Sequence, residues 1–585
     1  MLEKILNAVS RETLVEDTRY LAEECPMRLA GSEMERKAAS YIEKRFNEIG
    51  VPITLHELDG YVSFPHSARL EVLSPEHRVI EANAFAQAQP TPPDGLEADI
   101  VFVGAGGLDD YEGVEAEGKI TLAELSYAPP RPEKVRIATE KGAIGQIMMN
   151  WGLPEHGTVP MGTCKPVWGN PTPATVGTMP QIPAIGISRA DGNWLAELAA
   201  RGPVKVRIHC DTENRWGKIV QPVARIEGTE EAENFVLVAG HYDAWAEGAT
   251  DNATGNAVMI EMARILNENR DKLRRSVVFS FWAAHESGIM EGSSWFVDRF
   301  WDDLRSNCVA TMNIDSQGMV DATELRCDAA PELSDFAADM AKEVLGIDDA
   351  HPRPLSRTGD QSFFGIGIPS MYLANQHPKA MQELWRGATL GWWYHSVKDT
   401  MEVVDPEILE RGARVNLGAA FELARRPVLP MNHAVTAERI AARLEALSGY
   451  DVGIDLAGLA ERAGRLGGRI DALVSLRDGA AHANDPETTH LCNAAMMRLS
   501  RTLTPMTGTV AGSWEQDTYG LSSLKTVLPG LFEVPAMAAA GPDSDYFKLQ
   551  WTQTVRQRNR AADTLDSAIE LIDGVLARVA ADKAA

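Results

Sequence analysis

Five side chains, His241, Asp251, Glu286, Asp315 and His395, have the types and order to hold a pair of divalent metal ions. Two imidazoles and three carboxylates give each ion one histidine, one carboxylate of its own and a share in a third, with Asp251 assigned the bridging role. Such mixed nitrogen and oxygen ligation suits Zn²⁺, with Mn²⁺, Co²⁺ and Ni²⁺ as alternatives. Ions held this way polarise a carbonyl and acidify water, so the chemistry on offer is hydrolysis. His285, immediately before Glu286, adds an imidazole that nearby cations would keep neutral near pH 7 and able to accept a proton. Asp243 lies two residues after His241 and Asp399 four after His395, so each is a candidate acceptor for the second ring N–H of a ligating histidine. Singly, each residue has an ordinary reading; Asp251, just ahead of NATGNAVMIEMARIL, would pass for a helix cap. Their coincidence is what singles them out.

Side chains so far apart in sequence meet only if separate elements deliver them. His241 follows the apolar run FVLVAG, His285 and Glu286 follow VVFSFWAA, and Asp315 follows VATMNI, so three strands present polar residues at their carboxyl ends, where open α/β sheets carry their sites. Between about 217 and 425 strand-like and helix-like runs alternate: NFVLVAG, a helix from Thr254 to Leu266, SVVFSFWAA, CVATMNI and IPSMYLA. That alternation predicts an α/β fold, a mainly parallel mixed sheet sandwiched by helices. Residues 1–58 and 217–428 are assigned to this catalytic layer. The first 58 include RLAGSEMERKAASYIEKRFNEIGV, where Ser32 and Glu35 form a capping box and Gly50 ends the helix. Residues 59–216 read as an inserted β-rich domain of short runs such as ADIVFVGAG, GKITLAEL, IGQIMMNWG and QIPAIGIS. Residues 429–585 read as a helical domain, closing on a stripe of Leu565, Ile569, Ile572, Leu576 and Val579 that suits a packed helix at a subunit interface.

Composition narrows the partners. A formal net charge of -27 argues against nucleic-acid binding and against docking on an anionic membrane. Six scattered cysteines without a C-x-x-C pair, no long apolar span and no signal-like amino terminus predict a cytoplasmic protein.

The strings GHYDAW, ATDNATGNA, FWAAHESGIMEGSSWF, MNIDSQG, RTGDQSFFGIGIPS and YHSVKDT together resemble the co-catalytic zinc exopeptidases, specifically the branch containing glutamate carboxypeptidase II and the transferrin receptor. The resemblance implies a zinc aminopeptidase-like fold, a protease-associated domain at 59–216, a dimerisation domain at the carboxyl end and a homodimer. It implies one ion on His241, Asp251 and Asp315 and the other on His395, Asp251 and Glu286. It also implies a cis peptide at Asp251–Asn252 and a role for Tyr394 in hydrogen-bonding the tetrahedral intermediate.

One position departs from the pattern. Active members of that branch carry two consecutive acidic residues where this chain has His285 and Glu286, the first being the general base. Two divalent ions, three carboxylates and a hydroxide sum to zero, one charge more positive than with a further carboxylate, which favours an anionic or strongly polarised substrate. The reading is a hydrolase of an amide or peptide bond in a small or specialised substrate, with a metal-bridged hydroxide as nucleophile, Tyr394 at the oxyanion and His285 as proton shuttle. Trp245, Trp392 and Trp393 are candidates for an aromatic wall, and Lys525 for an anion contact. The alternatives are an exopeptidase acting on short peptides, a non-catalytic receptor-like dimeric scaffold, and a cyclising acyltransferase, which would need one zinc ion.

Overall fold

Runs of Val, Ile, Phe and Met with no polar alternation can be satisfied only where both faces of a strand are covered, and the centre of the molecule is built that way. The computed structural model describes residues 1–355, 361–519 and 527–584. Its strands are β1 (Ile53–Ser74), β2 (Arg78–Ala84), β3 (Leu96–Phe102), β4 (Ile120–Glu124), β5 (Gly145–Met149), β6 (Ala184–Ile187), β7 (Lys205–Ile226), β8 (Glu231–His241), β9 (Arg275–Trp282), β10 (Cys308–Asn313), β11 (Glu324–Ala329) and β12 (Ser370–Gln376). Strands β9, β8, β10 and β12 are parallel neighbours. They are edged by β7 against β9 and by β11 against β12, both antiparallel. Every residue of β9 and β10 is buried. Helices Thr254–Glu268 and Pro406–Arg425 pack in the same hydrophobic cluster as this sheet.

The inserted layer is more than β-rich. Strands β3, β4, β5 and β6 run parallel, and helices Arg131–Glu140 and Arg189–Arg201 accompany them, so the segment is itself α/β. Arg131–Glu140, sequence RPEKVRIATE, carries too few apolar positions to announce a helix. This layer has its own core, drawn from Leu70 to Cys210. Strands β1 and β7 pair antiparallel from Ile53–Ala224 to Ser74–Lys205 and run unbroken through positions 58/59 and 216/217, so a continuous ribbon, with no linker, joins the two layers.

Beyond residue 430 the described residues are mainly helical, with His433–Ser448, Ala457–His482, Pro486–Gly508 and Asp545–Ala584 as the long members. Leu565, Ile572 and Val579 of the last helix are buried, and most of these helices' apolar residues join the same cluster as the parallel sheet. All six cysteines are buried and unpaired. Among the described residues no helix is long and apolar enough to cross a membrane.

Candidate metal centre

The carboxyl ends of the parallel strands converge. His241 is the last residue of β8, His285 and Glu286 follow β9, Asp315 follows β10, and Asp251 lies in the turn leading into Thr254–Glu268. His395 comes from the long connection between β12 and Pro406–Arg425. The backbone around these side chains is unusual: His395 itself has φ 56°, Ala284 before His285 has φ 53°, and Ser316 after Asp315 has φ 52°. Left-handed conformations at non-glycine residues are costly and persist where the surroundings over-determine them, as at functional sites. The Asp251–Asn252 peptide is cis.

Distances sort the five side chains into two groups that share Asp251. His241 Nε2 lies 3.1 Å from Asp251 Oδ1 and 3.5 Å from Asp315 Oδ1. His395 Nε2 lies 3.2 Å from Asp251 Oδ2 and 3.0 Å from Glu286 Oε1. Two ligands of a tetrahedral ion with bonds of about 2.0–2.1 Å sit ~3.3 Å apart, so these separations match the edges of two coordination polyhedra. The orientation argues the same way. Glu286 Oε1 and His395 Nε2 are buried and, despite their proximity, lack hydrogen-bond geometry toward each other or toward any other group among the described residues. Two buried ligand atoms 3.0 Å apart and without hydrogen-bond partners suit a shared divalent ion.

Electrostatics follow from the crowding. Burial alone would push the Asp251 carboxyl up, but the close, positively charged forms of His241 and His395 outweigh it and hold Asp251 well below the ordinary carboxylate range. Burial raises Glu286 despite His395, with the Asp251 charge adding to it. Asp399 is pushed up to about 7 by burial and then by Asp251.

Asp243 and Asp399 brace the site in different ways. The backbone carbonyl of Asp243 lies 3.1 Å from His241 Nδ1, and since a carbonyl only accepts, that nitrogen carries a proton, which in the neutral ring leaves the Nε2 lone pair for an ion. The Asp243 carboxylate accepts from the backbone N–H of His285 (3.2 Å) and Glu286 (3.0 Å). Asp399 accepts instead from Thr250 N (2.9 Å), Thr250 Oγ1 (2.7 Å) and Asp251 N (3.1 Å), which fixes the turn under the bridging candidate. The half-buried His285 ring stacks on His241, with centroids 3.9 Å apart and planes 10° apart. Tyr394 stacks on His395 at 3.9 Å, and burial followed by the nearby carboxylates pushes its phenol well above the ordinary range.

Several neighbours escape sequence reasoning. The Asn252 side chain donates to His241 O and Ile314 O and accepts from Gly255 N, tying the ends of β8 and β10 together; its place directly after Asp251 was the available signal. Arg131, from the inserted layer, brings Nη2 to 3.4 Å from His395 Nδ1 and donates through Nη1 to Met161 O, while Met161 N donates to His395 O. Trp151 stacks on Tyr394. Tyr519, from the carboxyl-terminal part, stacks on Trp168, and its amide donates to Pro166 O. Of the aromatic candidates, Trp245 meets His395 edge-on at 6.1 Å, Trp392 stacks on His156, and Trp393 is core, donating to Thr250 Oγ1. Lys525 lies outside the described residues. Two surface clefts of about 550 and 650 Å³ contain none of the ligand candidates.

The chain is similar to known peptidases. Peptidase family M28 matches residues 222–420. A probable glutamate carboxypeptidase of Zea mays is 25% identical over 493 residues, spanning 72% of this chain and 68% of its own. An aminopeptidase of Bacillus subtilis is 26% identical over 427 residues, spanning 70% and 84%. Among solved structures, a zinc aminopeptidase from Bacillus subtilis superposes with a TM-score of 0.53 at 24% identity, covering 72% of this chain and 96% of that one, a likeness of fold.

Proposed function

We propose that this chain, a metal-dependent hydrolase whose residues 222–420 match peptidase family M28, cleaves an amide or peptide bond in a small substrate bearing a free carboxylate beside that bond. The observation carrying the substrate class is Arg131. Bound at the five ligand candidates, two divalent ions, Zn²⁺ by preference, would polarise the scissile carbonyl and supply nucleophilic water. Ligation through Nε2 puts the His395 proton on Nδ1, which then faces the Arg131 guanidinium, another donor. Two donors side by side at 3.4 Å call for an acceptor that takes a hydrogen bond from both, and a carboxylate supplies it with a charge that Arg131 complements.

Other unused donors surround the same corner. Arg131 Nε, Trp151 Nε1 and Trp245 Nε1 are buried without a hydrogen-bond partner among the described residues. Buried donors are rarely left unpaired, so the wall they form suits a substrate rich in acceptors. Tyr394 presents a phenol held protonated, fit to donate to a developing oxyanion. His285 accepts and returns the proton, its ring orientation set by the stack on His241. An exopeptidase acting on short peptides is the second reading, favoured by the aminopeptidase and carboxypeptidase names of the relatives.

The test is metal content per chain with turnover of matched substrates: N-acyl amino acids, dipeptides, and the same compounds with the carboxylate amidated. Two ions per chain and a strong preference for the free acids are expected. Equal turnover of acids and amides overturns the substrate class, and absence of both metal uptake and turnover overturns the hydrolase reading.

A further inference from the structure

The loop bearing His285 and Glu286 is an awkward piece of backbone. Between β9 and the helix Glu291–Arg299 it places three non-glycine residues in the left-handed region: Ala284 at φ 53°, Ile289 at φ 51° and Met290 at φ 61°. Such a loop keeps its course only where outside groups hold it. On the sheet side the Asp243 carboxylate holds the amides of His285 and Glu286. The carbonyls that follow are held from the inserted layer. Ser287 O accepts from Gln87 Nε2 (3.2 Å) and Thr163 Oγ1 (3.4 Å), Gly288 O from Lys165 Nζ (2.6 Å), and Ile289 O from Gly169 N (2.7 Å).

Lys165 is the charged member of this set. Its side chain is fully buried, and besides Gly288 O it meets Glu291 Oε1 at 2.7 Å, the first residue of the next helix, also fully buried. One ammonium thus clamps both ends of Gly288–Glu291, 123 and 126 positions away in the chain. Trp168, three residues on, packs on Ile289 and Met290. Buried lysines are rare unless paired, and this one spends its hydrogen bonds on the metal-bearing loop.

We infer that Lys165 is a positioning residue for the half of the metal centre made by Glu286 and His395, acting through Gly288 and Glu291. The inserted layer is then part of the machinery that shapes the centre as well as a wall of the substrate pocket. The inference rests on the proposed two-metal site. It assigns unequal dependence to the two ions: the one on His241 and Asp315 is held by β8 and β10, whereas the one on Glu286 needs the clamped loop.

The experiment is calorimetric titration of the metal-stripped full chain with Zn²⁺, alongside steady-state kinetics, for wild type, Lys165→Met and the double variant Lys165→Met/Glu291→Gln. The double variant removes the donor without leaving Glu291 as a lone buried charge. Arg189→Met serves as control: it breaks another cation–carboxylate pair of the inserted layer, Arg189 Nη1 to Glu124 Oε2 at 2.6 Å, without touching the loop. Both Lys165 variants are expected to bind one equivalent as wild type does and the second about 10–100-fold more weakly, the range for a lost outer-shell support. At saturating Zn²⁺, kcat is expected to fall with KM within about twofold, while Arg189→Met changes neither affinity. Two wild-type affinities in both Lys165 variants, or equal losses in the control, overturn the inference. A wild-type chain that takes up no Zn²⁺ overturns the metal site itself.

Discussion

At the residue scale, the difference between a ligand and a substrate contact lies in how each is signalled. Histidine and carboxylates at strand ends announce metal chemistry by type alone, whereas Arg131 sits over a hundred positions from the nearest ligand, in a segment whose apolar positions are too few to announce its helix. Its function is testable in two ways. Arg131→Met should raise KM for carboxylate substrates about 10–100-fold, the worth of a charge-assisted hydrogen bond, with kcat nearly unchanged and no effect on amidated analogues. Gly162→Ala should do the same with the guanidinium still present, because a Cβ at Gly162 would lie 1.1 Å from Arg131 Nη1 and must displace it. Unchanged KM in both would remove Arg131 from the substrate site. Asp251→Ala should lower metal content by at least one ion per chain and turnover by at least about 100-fold, read by elemental analysis and a progress-curve assay.

At the element scale, strands with continuous apolar runs are legible and long twisted ones are not. β8, β9, β10 and β12 follow their sequence runs closely, but β1 and β7 contain Gly60, Pro65, Gly217 and Pro222, which break the period-two pattern that identifies a strand. The turn from β8 to Asp251 has no such pattern either, and one side chain organises it. Fully buried Arg28 donates to the carbonyls of Leu21, Cys25, Tyr242, Glu247 and Gly248. Arg28→Met strands five acceptors and should cost on the order of 3–5 kcal/mol, seen as a lower denaturant midpoint at constant slope. A midpoint within experimental scatter of wild type would mean water replaces the guanidinium.

At the scale of the whole molecule, the carboxyl-terminal helices share one core with the sheet, so damage there should unfold the metal centre too. His433, buried under those helices, offers a probe. Its Nε2 lies 3.0 Å from Ser500 Oγ, and burial, partly offset by Glu332 and reinforced by Arg477, pulls the ring down to about 4. An unfolded histidine titrates near 6.5, so between about 6.5 and 4 the unfolded chain binds a proton that the native one refuses. Stability therefore falls as pH drops through that window, by on the order of 3 kcal/mol at its foot, and this group contributes no pH dependence above it. His433→Gln should flatten the acid limb of the stability profile, measured by denaturant unfolding between pH 7.5 and 4.5. An acid limb as steep as wild type would assign it to other groups.

What the residues determined by themselves is the inventory: which side chains can ligate, in what order, and that parallel strands would deliver them. That much is local, since ligand chemistry belongs to the side chain and alternation to short stretches of backbone. Tertiary structure decided the pairing, with the Asp251 carboxylate between two imidazoles, Asp399 turned to the Thr250–Asp251 amides, and Arg131 and Lys165 brought in from another layer. Those choices depend on where β1 and β7 carry the inserted layer and on left-handed turns at His395, Ala284 and Ser316, and both are set by packing between segments that sequence proximity does not connect.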